Sequence, residues 1–196
     1  MATPVLIYLH GFLSSPGTLK ARQLGDYLRA QAISADLRIP LLPDEASSAL
    51  EAAEATLRNA LADTARVALV GSSMGGFYAT ILAQRYDLRA VLINPAVAPH
   101  RLIHRHLGRN RNPYTWREFT LDETHVAQLE AMQPQLVKPD LFWLLAQSGD
   151  EVLDYREAVA FYARSKQTVE AGGDHQFRGF ERYLPALINF LQCAPV

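Results

Sequence analysis

Cysteine is almost missing from this sequence: among its 196 residues the single one is Cys193. No disulfide can therefore form within the chain, and nothing in its thiol content indicates an oxidising compartment. Cys193, beside the C-terminus, reads as an inert thiol. An excess of charge of either sign is missing too. Lys and Arg together number 19 against 20 Asp and Glu, a formal net charge of -1, so no global field favours nucleic acid or an anionic membrane. Long apolar runs are also absent. Val5 to Leu9 is too short for a membrane span or a leader core, and no basic residue precedes it. With no internal repeat and no low-complexity tract, these absences lead to the expectation of a soluble, cytoplasmic protein, its oligomeric state unspecified, that binds no nucleic acid.

What is present is a core. Hydrophobic residues make up 49% of the chain, enough for one substantial domain and too short a chain for two comfortable ones, so residues 1–196 are expected to form a single unit. Pro4 to Leu9 is an unbroken apolar run ended by His10-Gly11, as in a strand buried on both faces of a parallel sheet. Thr18 to about Gln31 has helical spacing. The alternation then repeats: Ala32 to Ile39 extended, Ala46 to Leu61 helical, Arg66 to Val70 extended, Met74 to Arg85 helical. Further strands are expected at Ala90 to Ile93, Leu141 to Ala146 and Gln167 to Val169, and helices at Tyr155 to Ser165 and Phe180 to Leu191. The pattern predicts an α/β fold with roughly six mostly parallel strands and helices on both faces.

Between Pro95 and Pro139 the rhythm breaks, with no obvious strand and one helix expected from Leu121 to Met132. A long excursion from a compact α/β pattern usually serves a site, so residues 96–138, approximately, are read as a small lid.

The strongest local signal is Gly71-Ser72-Ser73-Met74-Gly75, after the apolar strand Val67 to Val70 and before the helical run from Phe77. A turn this sharp strains the central residue and requires hydrogen as the side chain two residues to either side. It would lift the Ser73 hydroxyl clear of the sheet and turn the Met74 N–H toward a reacting carbonyl. Ser72 has no such placement and reads as structural.

A serine hydroxyl needs a base to take its proton, and histidine has the suitable pKa. Of His10, His100, His104, His106, His125 and His175, only His175 lies late in the chain on a loop after the last strand, within Gly172-Gly173-Asp174-His175. The acid that orients the imidazole belongs at the end of the strand between them, which selects Asp150. Asp154 reads instead as a helix N-cap with Glu157 reaching back, and Asp174 as a turn residue. A second oxyanion donor is expected just after the first strand, at the Phe12 N–H, with His10 a structural turn residue.

Several separated blocks then coincide: His10-Gly11-Phe12 with Ser14-Ser15-Pro16, Gly71 to Gly76, Asn94 to Val97, Asn112 to Thr115, Gly149 to Tyr155, and Gly172-Gly173 with His175 and Phe177. With them the sequence resembles the YqiA-like bacterial esterases of the α/β-hydrolase superfamily over essentially its whole length. The resemblance implies a minimal sheet and hydrolysis of short-chain acyl esters, with acyl-CoA thioesters as further candidates, and a mechanism through a serine, a histidine and an aspartate requires no metal or organic cofactor. The family's nucleophile, acid and base fall on Ser73, Asp150 and His175. A cluster of Arg101, Arg105, Arg109 and Arg111 with His104 and His106 reads as a solvated basic face, with reception of phosphates from a CoA-type leaving group as the alternative.

Overall fold

The computed structural model describes residues 2–192; Cys193 lies outside them. Six parallel strands form the central sheet: β1 (Val5–Leu9), β2 (Asp36–Arg38), β3 (Val67–Ser72), β4 (Ala90–Ile93), β7 (Phe142–Gln147) and β8 (Lys166–Glu170), in the spatial order β2-β1-β3-β4-β7-β8. Successive residues along a strand face opposite sides, and the core divides accordingly. Val5, Ile7 and Leu9 of β1 pack with Val67 and Leu69 of β3 against helices α2 (Ala46–Asp63), α3 (Met74–Tyr86) and α6 (Tyr155–Phe161). Leu6 and Tyr8 pack with Ala68 and Val70 against α1 (Leu19–Ala30) and α7 (Leu184–Phe190). Burial on both faces is why these strands read as unbroken apolar runs rather than alternating ones.

Three boundaries move furthest from the sequence expectation. The extended run from Ala32 begins only at Asp36, because Ala32 takes a left-handed turn (φ 50°) and Ile33 N–H donates to Leu28 O, closing the end of α1. Helix α6 stops at Phe161 rather than Ser165, where the Gln167 side chain donates to the carbonyls of Val159 and Tyr162. The last helix starts as a 3-10 turn, Phe180–Tyr183, and becomes α-helical from Leu184, with Pro185 in the first turn where its missing N–H is harmless.

The insertion between β4 and β7 departs further. It was expected to hold no strand, yet β5 (Gly108–Arg111) and β6 (Glu118–Leu121) pair there as an antiparallel hairpin, preceded by α4 (Pro99–His104) and followed by α5 (Glu123–Ala131). Gly-Arg-Asn-Arg is almost entirely exposed, so it carries no apolar alternation by which to be recognised. The helix begins after Leu121, at a box in which Asp122 accepts from Thr124 N–H and the His125 ring engages Asp122 N–H. Buried Asn112 ties the hairpin down: its Nδ2 donates to Ser14 O and to the Asp44 carboxylate, and its Oδ1 accepts from Tyr114 and Thr115 N–H. Among the described residues no helix is long and apolar enough to cross a membrane.

Candidate active site

The sharp turn forms where the sequence places it. Ser73 sits between β3 and α3 at φ 55°, ψ -123°, a positive φ that costs a non-glycine residue on the order of 1–3 kcal/mol. It is held there by Ser73 N–H donating to Ile93 O and by its own carbonyl accepting from Gly76 and Ala96 N–H. The need for hydrogen at the flanking positions is steric. A Cβ on Gly71 would lie 2.4 Å from Gly75 O, and one on Gly75 would lie 2.0 Å from Leu9 O.

Ser73, His175 and Asp150 come together from three loops. His175 Nε2 lies 3.1 Å from Ser73 Oγ, while Nδ1 lies 2.9 and 2.8 Å from the two oxygens of Asp150. A proton on Nδ1 donated to the carboxylate leaves Nε2 free to accept from the serine hydroxyl. Asp150 Oδ1 also accepts from Val152 and Leu153 N–H, and the carboxylate is 1% exposed against 15% for the imidazole. His175 N–H donates to Glu151 Oε2.

The rivals lie elsewhere. Asp154 caps α6 through Arg156 N–H, as expected, but Glu157 does not reach back: its carboxylate pairs with Arg101 at 2.6 Å, a partner from the insertion invisible to local sequence logic. Asp174 pairs with Arg178. His10 is buried, its Nδ1–H donating to Gly11 O and its Nε2 accepting from Leu42 N–H, and burial pushes its pKa down. Such a ring is a neutral strut. The N–H groups of Phe12 and Met74 donate to no acceptor among the described residues. The main chain before Phe12 passes so close to the turn that a Cβ on Gly11 would stand 3.1 Å from Ser73 Cβ.

Four residues of this region were missed in the sequence. Asn94, 3% exposed and at φ 40°, accepts from Gln147 N–H through Oδ1 and donates through Nδ2 to Asp174 O and His175 O. It thus joins the ends of β4 and β7 to the His175 loop. Gln147 Oε1 accepts from Asp174 and Arg178 N–H. Lys20, which burial pushes down to about 8, donates to Gln176 O, and burial drives the Tyr8 hydroxyl up to about 12. Only Asn94 lay in a block singled out from the sequence; none of the four carries a motif of its own.

The basic cluster of the insertion is largely occupied. Arg101 pairs with Glu157, Arg109 with Glu118, Arg111 lies over the Trp116 ring, and His104 stands 3.8 Å from Glu123. None of its members lines the cavity of about 300 Å³ that opens onto Ser73 and His175.

Known proteins with this fold are numerous. A "Putative hydrolase" from Agrobacterium vitis S4 superposes with a TM-score of 0.77 at 20% identity, covering 96% of this chain and 88% of its own. Mouse alpha/beta hydrolase domain-containing protein 10 gives 0.71 at 16%, covering 97% and 90%. Est1E from Butyrivibrio proteoclasticus, solved with ferulic acid, gives 0.72 at 15%, covering 97% and 89%. These likenesses show an α/β-hydrolase fold. Residues 5–192 match the uncharacterised protein family UPF0227, and the chain therefore belongs to that YqiA-like family.

Proposed function

We propose that this protein is a serine hydrolase that cleaves short-chain carboxylic esters through an acyl-enzyme, with acyl-CoA thioesters as further candidate substrates. The observation that carries the reading is the continuous line from the Asp150 carboxylate through His175 to the Ser73 hydroxyl, with its 3.1 Å step from Nε2 to Oγ. Structural relatives whose names include hydrolase and esterase support it.

In this mechanism Ser73 Oγ attacks the acyl carbonyl carbon as His175 Nε2 takes its proton, and the carbonyl oxygen becomes an oxyanion facing the Phe12 and Met74 N–H groups. Asp150 remains ionised and stabilises the imidazolium. Collapse breaks the bond to the alcohol or thiol, which leaves with the proton from His175. Water, deprotonated by the same nitrogen, then releases the acid and restores Ser73. The insertion, tied down through Asn112 beside the loop of Ser14, serves as the lid over this site.

The test is turnover of 4-nitrophenyl esters and acyl-CoAs by wild type, Ser73→Ala and His175→Ala, with intact mass after fluorophosphonate treatment. Loss of either residue should lower kcat by ~10⁴- to 10⁶-fold, and labelling should vanish in Ser73→Ala. A wild type that neither turns over esters nor takes the label would instead be a binding scaffold.

A further inference from the structure

The cavity beside Ser73 has a chemical bias that hydrolysis of a neutral ester does not require. Its lining includes Tyr8, Thr18, Lys20 and Arg22 and contains no Asp or Glu. Lys20 is 6% exposed, yet its ammonium has no carboxylate within 4 Å and uses one of its three N–H groups, donated to Gln176 O at 2.9 Å. The two acids whose charge reaches Lys20 are bonded elsewhere, Asp150 to His175 and Asp174 through Oδ2 to Arg178, while Asp174 Oδ1 is buried without a partner yet does not come within 4 Å of the ammonium. Arg22, exposed at the rim, makes no side-chain hydrogen bond or ion pair among the described residues.

Two further features point the same way. The Tyr8 hydroxyl is fully buried in the cavity wall and has no hydrogen-bond partner; Thr18 and Ser72 stand near it without completing a bond. The 12-residue helix α1 also begins at the cavity, and the N–H groups of Leu19 and Lys20 in its first turn have no acceptor among the described residues. A helix N-terminus with free N–H groups carries partial positive charge. A buried cation and an orphaned buried donor are each costly unless something completes them.

We propose that this end of the cavity is an anion subsite, in which Lys20, Arg22, the Tyr8 hydroxyl and the start of α1 receive a carboxylate or phosphate carried by the substrate itself. The inference rests on the hydrolase reading and narrows it: the preferred ester bears a negative charge a few atoms from the bond that is cut. The anion would occupy the two unused N–H groups of Lys20 and the Tyr8 donor. A cavity of about 300 Å³ limits the arm to a short one.

Matched ester pairs test this. On the acyl side, 4-nitrophenyl hydrogen adipate is compared with 4-nitrophenyl hexanoate; on the alcohol side, 4-carboxyphenyl acetate and 4-phosphooxyphenyl acetate are each compared with phenyl acetate. In wild type, kcat/KM should favour at least one anionic member by about tenfold or more, the scale of one or two charge-assisted hydrogen bonds. Which pair shows it tells carboxylate from phosphate and acyl side from alcohol side. Lys20→Met and the exposed Arg22→Gln should each cut that preference severalfold. The preference should also decline as the pH passes about 8, where Lys20 loses its proton. Among the facing groups, His175 and Asp150 act on both members of a pair and cancel in the ratio, Asp174 pairs with Arg178, Arg22 stands at the rim, and Tyr8, pushed up to about 12 by burial, keeps its proton. Ser73-dependent turnover with no preference in any pair would overturn the subsite alone. So would equal loss for charged and neutral esters in both variants, which would mark Lys20 and Arg22 as braces. Failure of the wild type to turn over any ester or to take a fluorophosphonate label would overturn the hydrolase reading and the subsite together.

Discussion

Replacing Asn94 by alanine removes the side chain that joins the three loops of the candidate active site. Three hydrogen bonds disappear: from Gln147 N–H at 2.9 Å, and to Asp174 O and His175 O at 3.0 and 3.2 Å. At about 1 kcal/mol net each, they account for about 3 kcal/mol. Alanine must also hold φ 40°, which asparagine tolerates better, adding about 1 kcal/mol. Asn94→Ala is therefore expected to lose about 4 kcal/mol by urea denaturation followed by circular dichroism, with an unchanged m-value. Asn94→Gly loses the same bonds without the left-handed penalty, and should be the less destabilised of the two. Because two of the bonds hold the main chain of Asp174 and His175, kcat should fall more than KM rises, by ~10- to 100-fold. A loss below about 1 kcal/mol in Asn94→Ala with undiminished kcat would refute the idea that this side chain sets the His175 loop.

Gly75→Ala places a methyl 2.0 Å from Leu9 O and 2.7 Å from His10 O, so β1 and α3 must separate. A loss of about 3 kcal/mol or more, or failure to accumulate as folded protein, is expected. Gly17→Ala, whose Cβ would meet nothing closer than Ser15 Oγ at 3.7 Å, should stay within about 0.5 kcal/mol of wild type in the same denaturation series. His10 predicts a pH dependence. Its folded pKa is depressed by burial, so below the ordinary histidine range the unfolded chain binds the extra proton first. The stability that His10 contributes is present above that range and is lost as pH falls through the folded value, where its bond from Leu42 N–H must break. His10→Gln should flatten this acid slope in denaturation midpoints measured between neutral and mildly acidic pH; an unaltered slope would rule His10 out as its source.

Ser73, Asp150 and His175 were legible because each occupies a position defined by its immediate neighbours: a serine between two obligatory glycines, an aspartate at a strand end, a histidine in a glycine-led loop. The buried strands were legible for the same reason, since two covered faces impose an apolar run that needs no partner to be recognised. The hairpin in the insertion was not, because β5 is polar and exposed, the alternation of buried Phe119 and Leu121 in β6 is only four residues long, and the hairpin is anchored by Asn112 reaching Ser14, 98 residues away. The sequence by itself thus determined the sheet, its helices and which serine, acid and histidine are candidates, all products of short-range pattern. Only the tertiary structure decided that Asn94 binds groups 53, 80 and 81 residues distant, and that Lys20 meets Gln176 across 156 residues beside an unpartnered Tyr8. Those contacts depend on how the ends of parallel strands converge, and a side chain's partner across that edge leaves no periodic trace along the chain.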